Sequence, residues 1–203
     1  MRNLLIAVGL CWAGVCSAAS VLIVGDSISA AYGIDKEQGW VELFTAEYAD
    51  KCDGLLVSNA SVSGETTAGG AARLATLLAE VSPDIVVIEL GGNDGLRGLS
   101  PQAMENNLRR MVRLSRDAGA TPLLFGIYLP PNYGDAYRQL FDQAFVRVAQ
   151  SESVPLLPFF LQGVAAVEGM MLEDGIHPNE AGQPLLLDNA RPLLEAALAK
   201  YCL

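Results

Sequence analysis

The chain of 203 residues contains a single histidine, and its four cysteines form no Cys-x-x-Cys pair. Zinc sites draw three or four ligands chiefly from His and Cys, so no zinc centre is predicted. Phosphate-binding loops, the Gly-x-Gly-x-x-Gly dinucleotide motif and the Gly-x-Ser-x-Gly elbow are also absent. These absences argue against nucleotide binding and against an ordinary α/β-hydrolase, and we expect neither a metal nor a cofactor.

Basic residues are scarce: Lys and Arg number 13 against 23 Asp and Glu, which gives a formal net charge of −10. Proteins that bind nucleic acid neutralise phosphates with clustered Lys and Arg, and this sequence has no such stripe. We therefore expect no nucleic-acid partner. With 51% hydrophobic and 18% charged residues, the chain has the composition of one globular domain.

Long hydrophobic runs are missing after the first residues. Residues 4–15 form an apolar run of twelve, preceded by Arg2 and followed by Ser17, Ala18 and Ala19. This pattern is typical of a secretory signal peptide, and the run is too short for a transmembrane helix, which needs about 20 residues. We predict a signal peptide over residues 1–19, a domain over residues 20–203, export to the periplasm or beyond, and no stable membrane insertion.

The rest of the chain alternates short apolar runs with longer amphipathic segments. Residues 84–90 are the clearest strand, apolar enough to be covered on both faces, although Glu89 within them needs a partner if buried. Ser100 followed by Pro101 is typical of a helix start. The predicted strands cover residues 21–25, 55–59, 84–90, 121–127 and 154–157, and the predicted helices 39–51, 67–81, 100–119, 135–151 and 180–201. This alternation predicts an α/β fold, a single-domain, doubly wound, parallel five-stranded sheet with helices on both faces.

Four of the predicted strands lead into polar or glycine-bearing turns. Gly-Asp-Ser-Ile-Ser at 25–29, Asn-Ala-Ser-Val-Ser-Gly at 59–64 and Gly-Gly-Asn-Asp at 91–94 follow the first three strands. Asp-Gly-Ile-His-Pro at 174–178 comes after the fifth strand, past an intervening stretch. Ligands of parallel sheets bind beyond the carboxyl ends of the strands, so the four turns together predict a functional site at that edge.

These turns resemble the four conserved blocks of the SGNH, or GDSL-type, esterase and lipase superfamily, and the resemblance runs from Gly25 to Pro178. Residues 25–29, 88–98 and 174–178 are most similar to its bacterial periplasmic branch of arylesterases, thioesterase I and lysophospholipases. One departure is Ile28, where the family has Leu, an apolar exchange that touches no catalytic group. The resemblance implies a flavodoxin-like SGNH-hydrolase fold and a serine-hydrolase mechanism without a cofactor.

The resemblance makes Ser27 the nucleophile, His177 its general base and Asp174 the residue that orients the imidazole. A serine hydroxyl is a weak nucleophile until a base takes its proton, and His177 is the only histidine available. Asp174 lies three residues earlier, close enough to accept the other imidazole N–H. The alternatives are structural: His177 could cap the last helix, and Asp174 could order a turn.

By the same resemblance, the backbone N–H groups of Ser27 and Gly64 and the side-chain amide of Asn93 form the oxyanion hole. Such donors stabilise the negative oxygen of the tetrahedral intermediate. Glycine suits position 64 because the backbone must approach the substrate closely there. An ordinary loop glycine and a turn-stabilising asparagine are the alternatives for these two positions.

The sequence thus predicts a serine esterase that hydrolyses small-molecule acyl esters and thioesters, including aryl esters and lysophospholipids, through an acyl-Ser27 intermediate. The segments beyond the third and fourth strands, residues 95–100 and 130–137, are expected to wall the acyl pocket. Two alternatives are a carbohydrate O-acetylesterase with the same triad and a non-catalytic exported binding module. A preference for acetylated sugars would select the first, and absence of Ser27 labelling by an organophosphonate would select the second.

Two cysteines, Cys52 and Cys202, lie outside the predicted signal peptide, and an exported protein meets conditions that allow a disulfide. Helices of a parallel sheet run back toward the amino ends of the strands, so both cysteines should reach the edge opposite the functional turns. The resemblance places the first and last helices side by side on one face. We therefore predict a bridge between them, the alternative being two unpaired thiols.

Overall fold

A computed structural model of the chain describes residues 19–202. Residues 1–18, which hold nearly all of the predicted signal peptide, lie outside this part, as does Leu203. Five parallel strands form one sheet in the order β2-β1-β3-β4-β5. They are β1 (Ser20–Gly25), β2 (Leu56–Asn59), β3 (Ile85–Glu89), β4 (Thr121–Phe125) and β5 (Leu156–Leu157). The predicted fold class is confirmed.

The centre of the sheet is β3, whose residues Ile-Val-Val-Ile-Glu are all buried. It pairs with β1 on one side and β4 on the other, so both of its edges are hydrogen-bonded. β-Branched residues favour extended backbone and suit a sheet that is covered on both faces. β1 and β3 end side by side, with Gly25 opposite Glu89, and two of the candidate turns begin at this point.

Helices cover both faces of the sheet. They are α1 (Trp40–Tyr48), α2 (Thr67–Val81), α3 (Gly92–Leu96), α4 (Pro101–Asp117), α5 (Asp135–Glu152) and α6 (Gln183–Leu198). α1 and α6 pack together on one face, and α2, α4 and α5 pack on the other. The predicted cap is present, since the Ser100 hydroxyl accepts the N–H of Ala103. Among residues 19–202, no helix is long and apolar enough to cross a bilayer.

The short helix α3 lies where the sequence predicted only a turn. Its residues, Gly-Asn-Asp-Gly-Leu, include two glycines, each of which disfavours a helix by about 1 kcal/mol relative to alanine. Tertiary contacts outweigh this preference. The Asp94 carboxylate accepts both the backbone N–H of Thr67 (2.8 Å) and its hydroxyl (2.6 Å), and so ties α3 to the start of α2.

The last helix, α6, begins at Gln183, three residues later than predicted. Residues 180–182 form a separate 3-10 turn, in which the side chain of Asn179 accepts two backbone N–H groups. An asparagine cap satisfies donors that have no partner within a helix, which explains the separate turn. Pro192 lies inside α6, and the helix continues past it to Leu198.

At the amino edge of the sheet, Cys52 and Cys202 form the predicted disulfide, with 4.7 Å between their Cα atoms. Cys52 follows α1, and Cys202 follows α6. The two helices are also joined by a hydrogen bond from the Tyr48 hydroxyl to the Glu195 carboxylate (2.6 Å). The packing of α1 against α6 therefore brings together two cysteines that are 150 residues apart.

Candidate active site

Ser27 lies in a tight turn that follows β1. A side chain at Gly25 would collide with its neighbours at 2.7–2.8 Å, so the strand must end on glycine. The Asp26 carboxylate accepts the N–H of Ile28 (3.0 Å), and the Ser27 carbonyl accepts the N–H of Tyr32 (3.0 Å). These bonds coil the chain around Ser27 at the carboxyl edge of the sheet.

His177 and Asp174 reach Ser27 from the loop that follows β5. The His177 Nε2 atom lies 2.9 Å from Ser27 Oγ, and its Nδ1 atom lies 2.7 Å from Asp174 Oδ2. The N–H of Leu172 donates to the His177 carbonyl (2.8 Å), which closes the loop on itself. The structure thus joins the three predicted residues in one chain of hydrogen bonds, the arrangement by which a base activates a serine hydroxyl.

Asp174 is well suited to hold the imidazole. Its second carboxylate oxygen accepts the backbone N–H groups of Ile176 (2.9 Å) and His177 (3.0 Å). The side-chain hydrogen bond with His177, followed by these backbone bonds, lowers the pKa of Asp174 to about 2. An ionised Asp174 favours a proton on Nδ1, and Nε2 is then free to accept a proton from Ser27.

The predicted oxyanion donors follow three adjacent strands: Ser27 and Gly64 lie on turns, and Asn93 lies in α3. The Asn93 amide donates one N–H to the Asp26 carboxylate (3.1 Å), which leaves the other for a ligand. Within residues 19–202, the backbone N–H groups of Ser27 and Gly64 donate to no protein acceptor. Ser27 and Asn93 also line the same cavity. These donors have the chemistry that an oxyanion requires.

Gly64 is held by a residue that sequence reasoning missed. Its φ of +80° lies in the left-handed region, which glycine adopts without strain. Its carbonyl accepts a hydrogen bond from Arg97 Nη2 (2.8 Å). Arg97 directly follows α3, which carries Asn93, so this contact ties two of the candidate turns together. The only sequence signal for Arg97 was its place within the resembling stretch 88–98.

Two buried carboxyl groups lie beneath Ser27: Asp26 is 2% exposed and Glu89 is 3% exposed. Glu89 Oε2 accepts hydrogen bonds from the Ser29 hydroxyl (2.7 Å) and from the Asp26 N–H (3.4 Å). The Ser29 hydroxyl in turn accepts from Trp40 Nε1 (3.1 Å). Desolvation by burial raises the pKa of Asp26 to about 6 and that of Glu89 well above its usual range. The fold therefore favours the protonated form of these groups more than solvent does.

An apolar cavity of about 320 Å³ opens beside Ser27, Asn93 and His177. Its walls come from the turn after β1 and from the segments that follow β3, β4 and β5. The apolar wall residues are Ile28, Leu96, Ile127, Tyr128, Leu129, Pro130, Phe159, Leu161, Ala165, Met171 and Ile176. A cavity lined in this way can bury an aliphatic or aromatic group next to the serine hydroxyl.

The walls of this cavity differ in part from the sequence expectation. Leu96 and Pro130 come from the two segments expected to form them. Ile28 comes from the turn after β1, and the others come from residues 127–129, which follow β4, and from the loop after β5. That loop, residues 158–171, was missed because it has neither strand nor helix periodicity. The apolar run Pro-Phe-Phe-Leu at 158–161 was the signal that could have found it.

Comparison with known proteins decides the family. The model of the GDSL-like lipase/acylhydrolase family matches residues 23–185, a span that contains Ser27, Gly64, Asn93, Asp174 and His177. The chain belongs to this family. As a GDSL hydrolase it is a serine esterase or thioesterase, so the predicted class of enzyme is confirmed.

Curated relatives and a solved structure agree with this membership. Esterase TesA of Pseudomonas aeruginosa is 53% identical over 182 residues, which cover 90% of each chain. Thioesterase 1/protease 1/lysophospholipase L1 of Escherichia coli (strain K12) is 43% identical and covers 85% of this chain and 81% of its own. The crystal structure of esterase EstA from Pseudoalteromonas sp., inhibited by monoethylphosphonate, has a TM-score of 0.84 at 40% identity and covers 89% of this chain and 98% of that one. The GDSL hydrolase described here shares their fold over nearly its whole described length.

Proposed function

We propose that this GDSL hydrolase cleaves small-molecule carboxylic esters and thioesters through an acyl-Ser27 intermediate, with His177 as general base and Asp174 as its orienting partner. The observation that carries the proposal is the chain of hydrogen bonds of 2.9 Å and 2.7 Å through His177, which ends at an apolar cavity. Together these features provide an activated nucleophile and a place for an acyl chain.

In the acylation step, Ser27 Oγ attacks the carbonyl carbon while His177 Nε2 takes the hydroxyl proton. The tetrahedral intermediate then collapses, the bond to the leaving oxygen or sulfur breaks, and His177 returns the proton to the leaving group. Water repeats the sequence on the acyl-enzyme, which releases the carboxylic acid and restores the Ser27 hydroxyl. Asp174 remains ionised throughout, consistent with its low pKa, and stabilises the imidazolium.

The negative oxygen of each tetrahedral intermediate is stabilised by the N–H groups of Ser27 and Gly64 and by the Asn93 amide. Asp26 supports this role because it accepts one Asn93 N–H and so restricts the amide. Arg97 supports it in the same way, since it holds the Gly64 carbonyl. Donors fixed before the substrate arrives need no reorganisation when charge develops.

The substrate class follows from the lining of the cavity. Its walls are apolar side chains, which favour a hydrocarbon acyl chain over the hydroxyl-rich ring of a sugar. The names of the relatives agree, because one is called an esterase and another a thioesterase and lysophospholipase. We propose aryl esters, acyl thioesters and lysophospholipids as substrates, and the apolar walls make a carbohydrate O-acetylesterase the weaker candidate.

We also propose that the enzyme acts outside the cytoplasm, in the periplasm or beyond. The Cys52–Cys202 disulfide supports this location, because structural disulfides persist in oxidising compartments. β1 starts at Ser20, so removal of residues 1–19 would leave the strand whole.

A panel of nitrophenyl esters from two to sixteen carbons, with matched acyl thioesters, tests the proposal. We expect turnover of both series, a preference for chains longer than acetyl, and no turnover of either by Ser27→Ala. Acetylated sugars should be poor substrates. Hydrolysis confined to acetylated sugars would select the O-acetylesterase, and full activity of the Ser27→Ala variant would overturn the mechanism.

A further inference from the structure

Tyr32 lies against the ring of His177, although the candidate triad and the oxyanion donors do not include it. The two ring centroids are 4.6 Å apart, and their planes are inclined by 43°. Tyr32 is 52% exposed, so core burial does not account for its position. A half-exposed aromatic ring that contacts the candidate base is placed to act on that base.

The backbone holds Tyr32 in this position. Ala31 has a φ of +57°, in the left-handed region that residues with a side chain rarely adopt. The following N–H, that of Tyr32, donates to the Ser27 carbonyl (3.0 Å). The turn that presents Ser27 therefore also presents Tyr32, at the expense of an unfavourable alanine conformation. Strained backbone of this kind persists where the surrounding structure requires it, often at functional sites.

The loop that carries Tyr32 is packed against the loop that carries His177. A Cβ at Gly33 would lie 2.6 Å from Leu172 Cδ1, so the Leu172 side chain packs directly against the backbone at Gly33. The N–H of Leu172 donates to the His177 carbonyl (2.8 Å). Tyr32 and His177 are therefore held by two loops that support each other, and their rings meet in a fixed arrangement.

We propose that Tyr32 is a positioning residue that keeps the His177 imidazole directed at Ser27 and stabilises its protonated form. This inference rests on the proposed function, in which His177 is the general base. In that step the Ser27 O–H bond breaks, an N–H bond forms on His177 Nε2, and the freed electron pair of Oγ attacks the substrate carbonyl. The imidazole becomes a cation, and an aromatic ring within about 6 Å attracts a cation.

Other groups also act on the imidazole and must be separated from Tyr32. Asp174 accepts the hydrogen bond at Nδ1, and the buried Asp26 carboxyl interacts electrostatically with His177. Asp174 acts through this hydrogen bond at one ring nitrogen and Asp26 acts through charge, whereas Tyr32 packs against the ring and can limit its rotation. Removal of the Tyr32 ring leaves both carboxyl groups in place, so the contribution of the ring can be measured by itself.

The test compares Tyr32→Leu with Tyr32→Phe, which keeps the ring. We expect Tyr32→Leu to lower kcat about 3- to 10-fold with little change in KM, and equally for esters and thioesters, because it removes one cation–π contact. Tyr32→Phe should behave like the unmodified enzyme.

Tyr128→Leu is the matched control. Tyr128 is 45% exposed and stacks on Phe159 (4.5 Å between centroids) in the wall of the cavity. Its replacement should change acyl-chain preference, whereas Tyr32→Leu should lower kcat to the same extent at every chain length. An unchanged Tyr32→Leu enzyme, a loss in Tyr32→Phe as large as in Tyr32→Leu, or an effect of Tyr32→Leu confined to KM would each overturn the inference. If Ser27→Ala stays active, the proposed function fails instead, so the two failures are distinguishable.

Discussion

The two edges of the sheet are built differently. At the carboxyl edge, tight turns place Ser27, Asn93 and His177 around an open cavity. At the amino edge, a covalent bond between Cys52 and Cys202 joins the ends of α1 and α6. A six-residue strand such as β1 separates the edges by about 20 Å. The candidate catalytic groups and the disulfide are therefore far apart, and substitutions at the two edges should change different measurements.

The largest effect should come from the carboxyl edge. Ser27→Ala and His177→Ala should each lower kcat by about 10⁶ while the melting temperature stays nearly unchanged, because triad residues act as a unit. For the same reason the double variant should be scarcely slower than either single one. Steady-state kinetics and thermal melts check this. Retention of a tenth of the activity by either variant would contradict the assignment of that residue.

Asn93→Ala should give the next largest effect. We expect kcat to fall roughly 10²- to 10³-fold with little change in KM, because the amide serves the transition state more than the bound substrate. Kinetics on one ester and its matched thioester check this. A change confined to KM would instead assign Asn93 to substrate binding, and it would remove one donor from the proposed oxyanion hole.

Removal of the disulfide at the amino edge should lower the stability and leave the catalytic rate nearly unchanged. A Cys52→Ala/Cys202→Ala variant should lose roughly 2–4 kcal/mol of unfolding free energy, because the open chain gains entropy when it unfolds. Its kcat should stay close to that of the unmodified enzyme. Denaturant unfolding and ester hydrolysis, measured on the same preparation, check this. A large fall in kcat of the folded variant would show that the two edges are not independent.

Glu89 sharpens the comparison of the two edges, because this buried carboxyl group lowers the stability of the fold next to the candidate active site when it ionises. Burial raises the pKa of both Glu89 and Asp26, so the folded protein binds their protons more tightly than the unfolded chain does. The stability that these protons contribute is complete below about pH 4, the ordinary carboxyl pKa, and is lost as pH rises through about 6 and above.

Glu89→Gln removes one of these groups. The variant should therefore gain stability relative to the unmodified protein as the pH rises above about 4. Thermal melts between about pH 4 and pH 8 check the prediction, with Glu80→Gln as the control, since Glu80 is exposed on α2. A difference between Glu89→Gln and the unmodified protein that does not vary with pH would contradict it.

The grouping of Ser27, Asp174 and His177 could be predicted because the topology of the sheet brings their turns together. Parallel strands end at one edge, so turns far apart in sequence had to meet there, and a single histidine left one candidate base. The same topology placed Cys52 and Cys202 at the other edge, and the family resemblance placed their helices side by side. The structure brings these residues together as expected, and the catalytic roles of the triad stay predictions.

Other features depend on contacts that no local pattern reveals. α3 forms although its two glycines disfavour a helix, because Asp94 binds Thr67, 27 residues earlier. Glu89 binds Ser29, 60 residues away in sequence. Tyr32 contacts His177 where the loop that carries Tyr32 packs at Gly33 against the Leu172 side chain. Each depends on how turns pack after the strands are in place, so periodicity and propensity could not predict them.

The most direct test of the central claim is labelling with an organophosphonate, which reacts with an activated serine hydroxyl. A structure of the related esterase EstA was determined in a form inhibited by monoethylphosphonate. We expect one adduct per chain on the peptide that contains Ser27, loss of ester hydrolysis in step with labelling, and no adduct on Ser27→Ala. An adduct on another residue would contradict the account. So would ester hydrolysis that persists at full rate both in Ser27→Ala and after treatment with the phosphonate.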